Sequence, residues 1–109
     1  MKIYSLNEMT RGWFIGDFEP SIFKTKDFEV GIMYHKKNEE PDLHYHKIIT
    51  EYNVVISGKM RFEDRILSEG DIFEIVPNQI NDLEFLEDTT IVCVKVPSIT
   101  NDKHKVKNV

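Results

Sequence analysis

Apolar residues along this chain fall in short runs that alternate with polar residues or stand between turn formers. In Val30–Lys36 the alternation is clean: Val30, Ile32 and Tyr34 share one face of an extended segment, and Gly31, Met33 and His35 share the other. In Tyr52–Ser57 the split is uneven. Tyr52, Val54 and Ile56 form an apolar set, whereas Asn53, Val55 and Ser57 form a smaller, more polar one, which suits a sheet lying between a core and a ligand cavity. Extending this reading predicts strands at Ile3–Leu6, Trp13–Ile15, Ser21–Lys24, Phe28–Lys36, Leu43–His46, Glu51–Ser57, Lys59–Phe62, Asp71–Val76, Asp82–Phe85 and Thr90–Val96. Ser57-Gly58-Lys59 and Glu69-Gly70-Asp71 are turn signals, with Gly58 free to take positive φ. Helical pattern is confined to Ser5–Arg11, where Asn7 is placed to cap a single turn. Short strands at this spacing predict an all-β sandwich or small barrel. Residues 1–96 read as one domain, and the polar, Lys-rich stretch 97–109 reads as a solvated C-terminal tail.

Composition narrows the possible functions. The 109 residues suffice for one domain with a modest core. With 14 Lys and Arg against 19 Asp and Glu, the net charge is −5, which argues against nucleic acid or an anionic membrane as partner. No apolar run approaches the ~20 residues that span a bilayer. Glu8 and Arg11 interrupt the stretch where an export signal needs an apolar core. Cys93 is the single cysteine, so an intrachain disulfide and a multi-cysteine zinc site are excluded, and a cytoplasmic location is expected.

The chemistry concentrates at Leu43-His44-Tyr45-His46, followed by Glu51 and Gly58. Residues two apart on a strand project from one face, so His44 and His46 present two imidazoles together. The short loop Lys47–Thr50 returns the chain and lets Glu51 bring a carboxylate beside them. Two imidazole nitrogens and one carboxylate oxygen are a common donor set for a divalent transition metal, and open positions would serve oxygen or substrate.

His44-x-His46-x4-Glu51-x6-Gly58 resembles the first motif of the cupins, the small jelly-roll barrels, whose pattern is Gly-x5-His-x-His-x3–4-Glu-x6-Gly. Gly70-Asp71-Ile72-Phe73-Glu74-Ile75-Val76-Pro77-Asn78 resembles the opening of the second motif. The resemblance implies a double-stranded β-helix with a metal inside the barrel and His44, His46 and Glu51 as ligands. Two departures stand out. Asn38 occupies the place of the first glycine, which is tolerable because asparagine also visits the left-handed region. The family's third histidine is missing: its position falls on Asn81 counting from Gly70, or on Asp82 counting from Pro77. Asp82 is the better ligand by charge and is expected in the site, with Asn81 as the alternative. Two carboxylates would favour Mn²⁺ or Fe²⁺, with Zn²⁺ and Ni²⁺ also compatible.

Other residues carry milder expectations. His35 is expected to be an exposed strand-end histidine, a pocket role being the rival; His104, in the tail, is expected to be solvated. Cys93 is expected to be a buried inert thiol. Tyr45 points away from the histidines and should pack. The aromatic stretch around Trp13, Phe14 and Phe18 reads as core or subunit interface, with a lid over the cavity mouth as the alternative, and Arg61, Glu63, Asp64 and Arg65 read as a charged hairpin tip. The outer apolar set Tyr52, Val54 and Ile56 asks for a second sheet or subunit, so a homodimer is expected.

The functional expectation is a metal-dependent enzyme acting on a small molecule in the barrel, such as a dioxygenase, isomerase or lyase, with Glu51 able to move a proton if it left the metal. The alternatives are a non-catalytic sugar or small-acid binding module and a metal-free sugar-nucleotide epimerase, in which His44 or His46 with Asp82 would be the base.

Overall fold

The structure, a computed structural model, describes residues 1–106. Its ten strands are β1 (Trp13–Ile15), β2 (Glu29–His35), β3 (His44–Tyr45), β4 (Thr50–Ser57), β5 (Lys59–Phe62), β6 (Arg65–Ser68), β7 (Ile72–Ile75), β8 (Leu83–Phe85), β9 (Thr89–Val96) and β10 (His104–Lys105). A five-stranded sheet runs β1-β2-β9-β4-β7, a three-stranded sheet runs β6-β5-β8, and β10 pairs with β3. The strand pairs within these sheets are antiparallel.

Val55 and Ile91 from the large sheet meet Met60 and Phe85 from the small one, and these four buried side chains form the core cluster between the sheets. Each contributes on the order of 2 kcal/mol through removal of its surface from water. The outer face of the large sheet remains apolar and open, with Tyr34, Tyr52, Ile56 and Ile72 exposed. Gly58 joins β4 to β5 at φ +97°, and a Cβ there would lie 2.3 Å from the Asp88 carbonyl oxygen, so only glycine fits this crossing. Asn38 does adopt the left-handed conformation, at φ +65°.

Four local expectations are corrected. Ile3–Leu6 is not a strand; Leu6–Glu8 forms a single 3₁₀ turn, capped by the Ser5 hydroxyl and not by Asn7, whose N–H is the donor. Ser21–Lys24 makes only one bridge, Ile15 to Phe23, because the Ser21 hydroxyl bonds both the carbonyl and the N–H of Phe23 and so competes with a ladder. Beyond the charged tip at Glu63 and Asp64, Arg65–Ser68 continues as β6 along β5. The segment after Val96 is docked up to residue 106, with some side chains still exposed: Ser98 and Asp102 are buried, and β10 returns the chain to β3. The last three residues of that expected tail lie outside the described residues.

Candidate metal and ligand centre

Strand alternation on β4 turns Glu51, Asn53 and Val55 inward, and antiparallel register sets Glu51 between Ile75 of β7 and Lys95 of β9. Glu51 is only 6% exposed. Its Oε1 accepts from the Cys93 thiol at 3.5 Å and lies 4.0 Å from the Lys95 ammonium, while Oε2 lies 3.4 Å from the Asn81 amide nitrogen.

The two histidine rings lie together, their centroids 5.2 Å apart and nearly perpendicular. Each is oriented by a backbone carbonyl. His44 Nδ1 donates to Asp42 O at 2.8 Å, and His46 Nδ1 donates to Asp102 O at 2.7 Å. A carbonyl only accepts, so Nδ1 carries the hydrogen and Nε2 of the neutral ring carries the lone pair. This is the second-sphere arrangement that prepares histidine for a metal. His46, 4% exposed, has its Nε2 buried without a partner. Burial lowers the His44 pKa below its usual value, and the nearby charges of Lys103 and His46 add to that, against the raising effects of the Asp42 carbonyl and Glu51.

Of the two candidates for the missing third histidine, Asn81 is the one buried at the cavity. The loop that carries it is stitched to the histidine segment by the N–H of Asn81 to His44 O at 2.8 Å and the N–H of Asn78 to His46 O. Its amide nitrogen donates to His44 Nε2 at 3.1 Å and faces Glu51, so one side chain bridges two expected ligands. Its Oδ1 is buried and unpartnered. Asp82 is corrected: it is exposed, outside this cavity, and pairs with Arg61 at 3.2 Å, because the neighbouring residue turned inward is Asn81.

Among the described residues, no three His, Cys, Asp or Glu side chains are grouped closely enough to hold a metal as they stand; the Asn81 amide lies between His44 and Glu51. The donor chemistry nevertheless fits a divalent cation. Two buried lone-pair atoms, His46 Nε2 and Asn81 Oδ1, lack partners, and an uncompensated buried polar atom is costly unless something completes it.

His44, Glu51 and Asn81, with His46 buried behind them, line a cavity of about 260 Å³ between the sheets. Its apolar wall includes Trp13, Met33, Phe73 and Phe85, and its polar wall includes His44, Glu51, Asn81 and Lys95. Trp13 therefore borders the cavity and carries Lys95 over its ring at 4.9 Å. His35 takes the pocket role: it is half-buried, stacks on Phe85 at 4.2 Å, and bonds Glu39 through Nδ1. Cys93 is buried, and burial, followed by the Glu51 charge, pushes its thiol pKa far up, so it stays protonated and inert.

The sequence reading missed the C-terminal contribution. The Asp102 carboxylate, in a residue 5% exposed, accepts the backbone N–H groups of Lys47, Ile48 and Ile49 at 2.9–3.0 Å. Burial alone would raise its pKa; those three bonds and His104 together outweigh it and lower the pKa. His104 is not solvated either: it pairs with Asp102 at 3.4 Å and stacks on Tyr45 at 5.4 Å. Ser98 accepts from the Asp17 N–H and donates to Glu29.

No protein-family model matches the sequence, and no curated protein matches it. Solved structures do match. An uncharacterized conserved protein with a double-stranded β-helix domain from Klebsiella pneumoniae superposes with TM-score 0.72 at 20% identity, covering 98% of this chain and 93% of that one. Oxalate decarboxylase of Bacillus subtilis, described with Mn(II) centres, gives 0.64 at 19% over 75% of this chain and 25% of its own. Bacterial pirin YhhW of Escherichia coli, in complex with nickel(II), gives 0.64 at 14% over 81% and 39%. The chain has the double-stranded β-helix fold of the cupins, as the motif resemblance implied.

Proposed function

We propose that this protein is a metal-dependent enzyme that holds a divalent ion with His44, His46 and Glu51 and acts on a small molecule in the barrel. The observation that carries the reading is the pair of carbonyl-anchored imidazoles whose Nε2 atoms carry the lone pairs, one of them buried with no partner. The manganese and nickel of the structural relatives support a divalent ion in general. When bound, such an ion supplies Lewis-acid polarisation of a ligand oxygen. Glu51 brings the negative charge, and Asn81 adds an amide oxygen if its amide turns over. Phe73, Phe85 and Trp13 keep water from the inner wall.

Elemental analysis of the purified protein is expected to find a transition metal that is lost in His44→Ala and Glu51→Ala. If no metal were retained, and Mn²⁺, Ni²⁺ and Zn²⁺ stabilised parent and variants alike, the reading would fail. One observation favours a second reading, a non-catalytic small-molecule binder: the Asn81 amide already bridges His44 and Glu51. Oxygen uptake with candidate small acids separates a dioxygenase from such a binder.

The open face bearing Tyr34, Tyr52, Ile56 and Ile72 supports a homodimer. Sedimentation at micromolar concentration is expected to give a dimer, and Tyr52→Lys a monomer; a monomeric parent overturns it.

A further inference from the structure

The polar wall of the cavity is an ordered row of side chains with an ammonium group at one end. Lys95 Nζ is 4.0 Å from Glu51 Oε1, the other Glu51 oxygen is 3.4 Å from the Asn81 amide nitrogen, and that nitrogen is 3.1 Å from His44 Nε2. A second ammonium belongs to Lys103, which lines the same cavity and acts on the charge of His44. Both residues come with fixed backbones. Lys95 sits in β9, paired with Glu29 on one side and Glu51 on the other. Lys103 stands between Asp102, whose carboxylate holds three backbone N–H groups, and His104, which is paired in β10 and stacked on Tyr45. Lys103 makes no ion pair among the described residues.

We propose that Lys95 and Lys103 clamp the carboxylate groups of a small organic acid across the Glu51-Asn81-His44 row. Several features converge on that class. A volume of about 260 Å³ lies just below the range usual for drug-sized ligands and suits a small molecule better than a nucleotide sugar. Two cations against the single carboxylate of Glu51 leave a concave, partly apolar site net positive, and low-dielectric walls focus that field on an anion. A diacid is favoured over a monoacid because two ammonium groups line the cavity and each can take one carboxylate. The apolar side, Met33 and Phe85 among it, fits the carbon backbone of the acid. The clamp rests on the reading of this cavity as the ligand site, but it requires no metal. Loading Glu51 with a cation would engage that carboxylate and release Lys95 for the ligand.

The test uses the full chain and malonate as probe, with neutral malonamide as its isostere, titrated by calorimetry in EDTA and again with Mn²⁺. Malonate is expected to bind at least about tenfold more tightly than malonamide, and Lys95→Met and Lys103→Met each to weaken malonate by about tenfold. Lys103→Arg should retain binding, and Lys24→Met, altered on the exposed Glu19 ion pair, should leave it unchanged. Lys103 is exposed, so its variants report on binding without loss of fold. Equal binding of malonate and malonamide, malonate binding unchanged in both methionine variants, or no malonate binding in either condition overturns the clamp. If Mn²⁺ binds the parent but not Glu51→Ala while the lysine variants bind malonate normally, the clamp falls and the metal reading stands. Lysine-dependent malonate binding with no metal binding gives the reverse.

Discussion

The interior of this barrel has two ends that obey different physics, and a single strand serves both. At one end Val55 packs with Met60, Phe85 and Ile91, with the His35 ring stacked on Phe85. Further along the same inward face of β4 come Asn53 and Glu51, buried to a similar degree but set among Asn81, Cys93 and Lys95. The dry end is held by surface removed from water. The polar end is held by directional bonds, many from outside the sheets: carbonyls of Asp42 and Asp102 on the histidines, and the Asp102 carboxylate on the loop after them. The contrast separates what stabilises the molecule from what it presents to a ligand. Buried polar atoms left without partners, His46 Nε2, Asn53 Nδ2 and Asn81 Oδ1, all belong to the polar half.

Substitutions should therefore give opposite results at the two ends. The largest effect is expected at the dry end, where Phe85→Ala removes a fully buried ring and should cost about 3–5 kcal/mol in urea unfolding, with the His35 stack lost as well. Asp102→Ala comes next. It strands three backbone N–H groups and should cost about 2–3 kcal/mol, with a fall of roughly 10–100-fold in Mn²⁺ or Ni²⁺ affinity measured by titration. A metal affinity unchanged in Asp102→Ala would mean that the Asp102 carboxylate is not needed to keep its own carbonyl on His46.

Acid should distinguish the ends more gently. His44 is held below its ordinary value of 6.5, chiefly by burial, so the unfolded chain takes up the proton first as pH falls. Its contribution to stability is full above about 6.5 and is lost as pH falls through the lower folded value. His44→Asn should flatten the stability difference between pH 7.5 and 5.5, whereas a dry-end variant should shift the curve without changing its slope. Asp102 titrates further down: its stability is present above 3.8 and is lost as pH falls through its lowered value. The smallest effect is expected from Glu51→Gln. Without added metal it should change stability by no more than about 1 kcal/mol, since the amide keeps the shape, a buried charge is removed, and the Lys95 partner, at 4.0 Å and partly exposed, can be solvated. The increment in thermal stability that Mn²⁺ gives the parent should disappear. A large loss of stability in metal-free Glu51→Gln would show that the carboxylate is a structural post.

Much of this was legible from local pattern. Alternation in Val30–Lys36 and Tyr52–Ser57 assigns the correct faces, since a strand's period of two leaves no other choice once one face is buried. The His-x-His spacing likewise places His44 and His46 together. The third ligand position was ambiguous by one residue between Asn81 and Asp82, and charge pointed the wrong way. What decides it is backbone pairing of the loop with the histidine segment, which orients Asn81 inward and leaves Asp82 to Arg61. Asp102 and Lys103 were invisible because nothing near them in the chain signals a role. Asp102 meets His46 across 56 positions, and a polar, Lys-rich stretch is compositionally the same whether it is solvated or docked. Ser21 shows the converse failure, an apolar run whose backbone is diverted by its own hydroxyl.

The carbonyl of Asp102 on His46 also imposes an order on biosynthesis. At synthesis rates of about 5–20 residues per second, several seconds separate the appearance of His46 from that of the group that sets its ring. Through that interval the growing polypeptide contains all three expected metal ligands yet lacks the tie that selects the right tautomer of one of them. That tie is therefore made late, after both sheets have been translated, and a chain stopped short of residue 102 would contain the strands of both sheets without the group that sets the His46 ring.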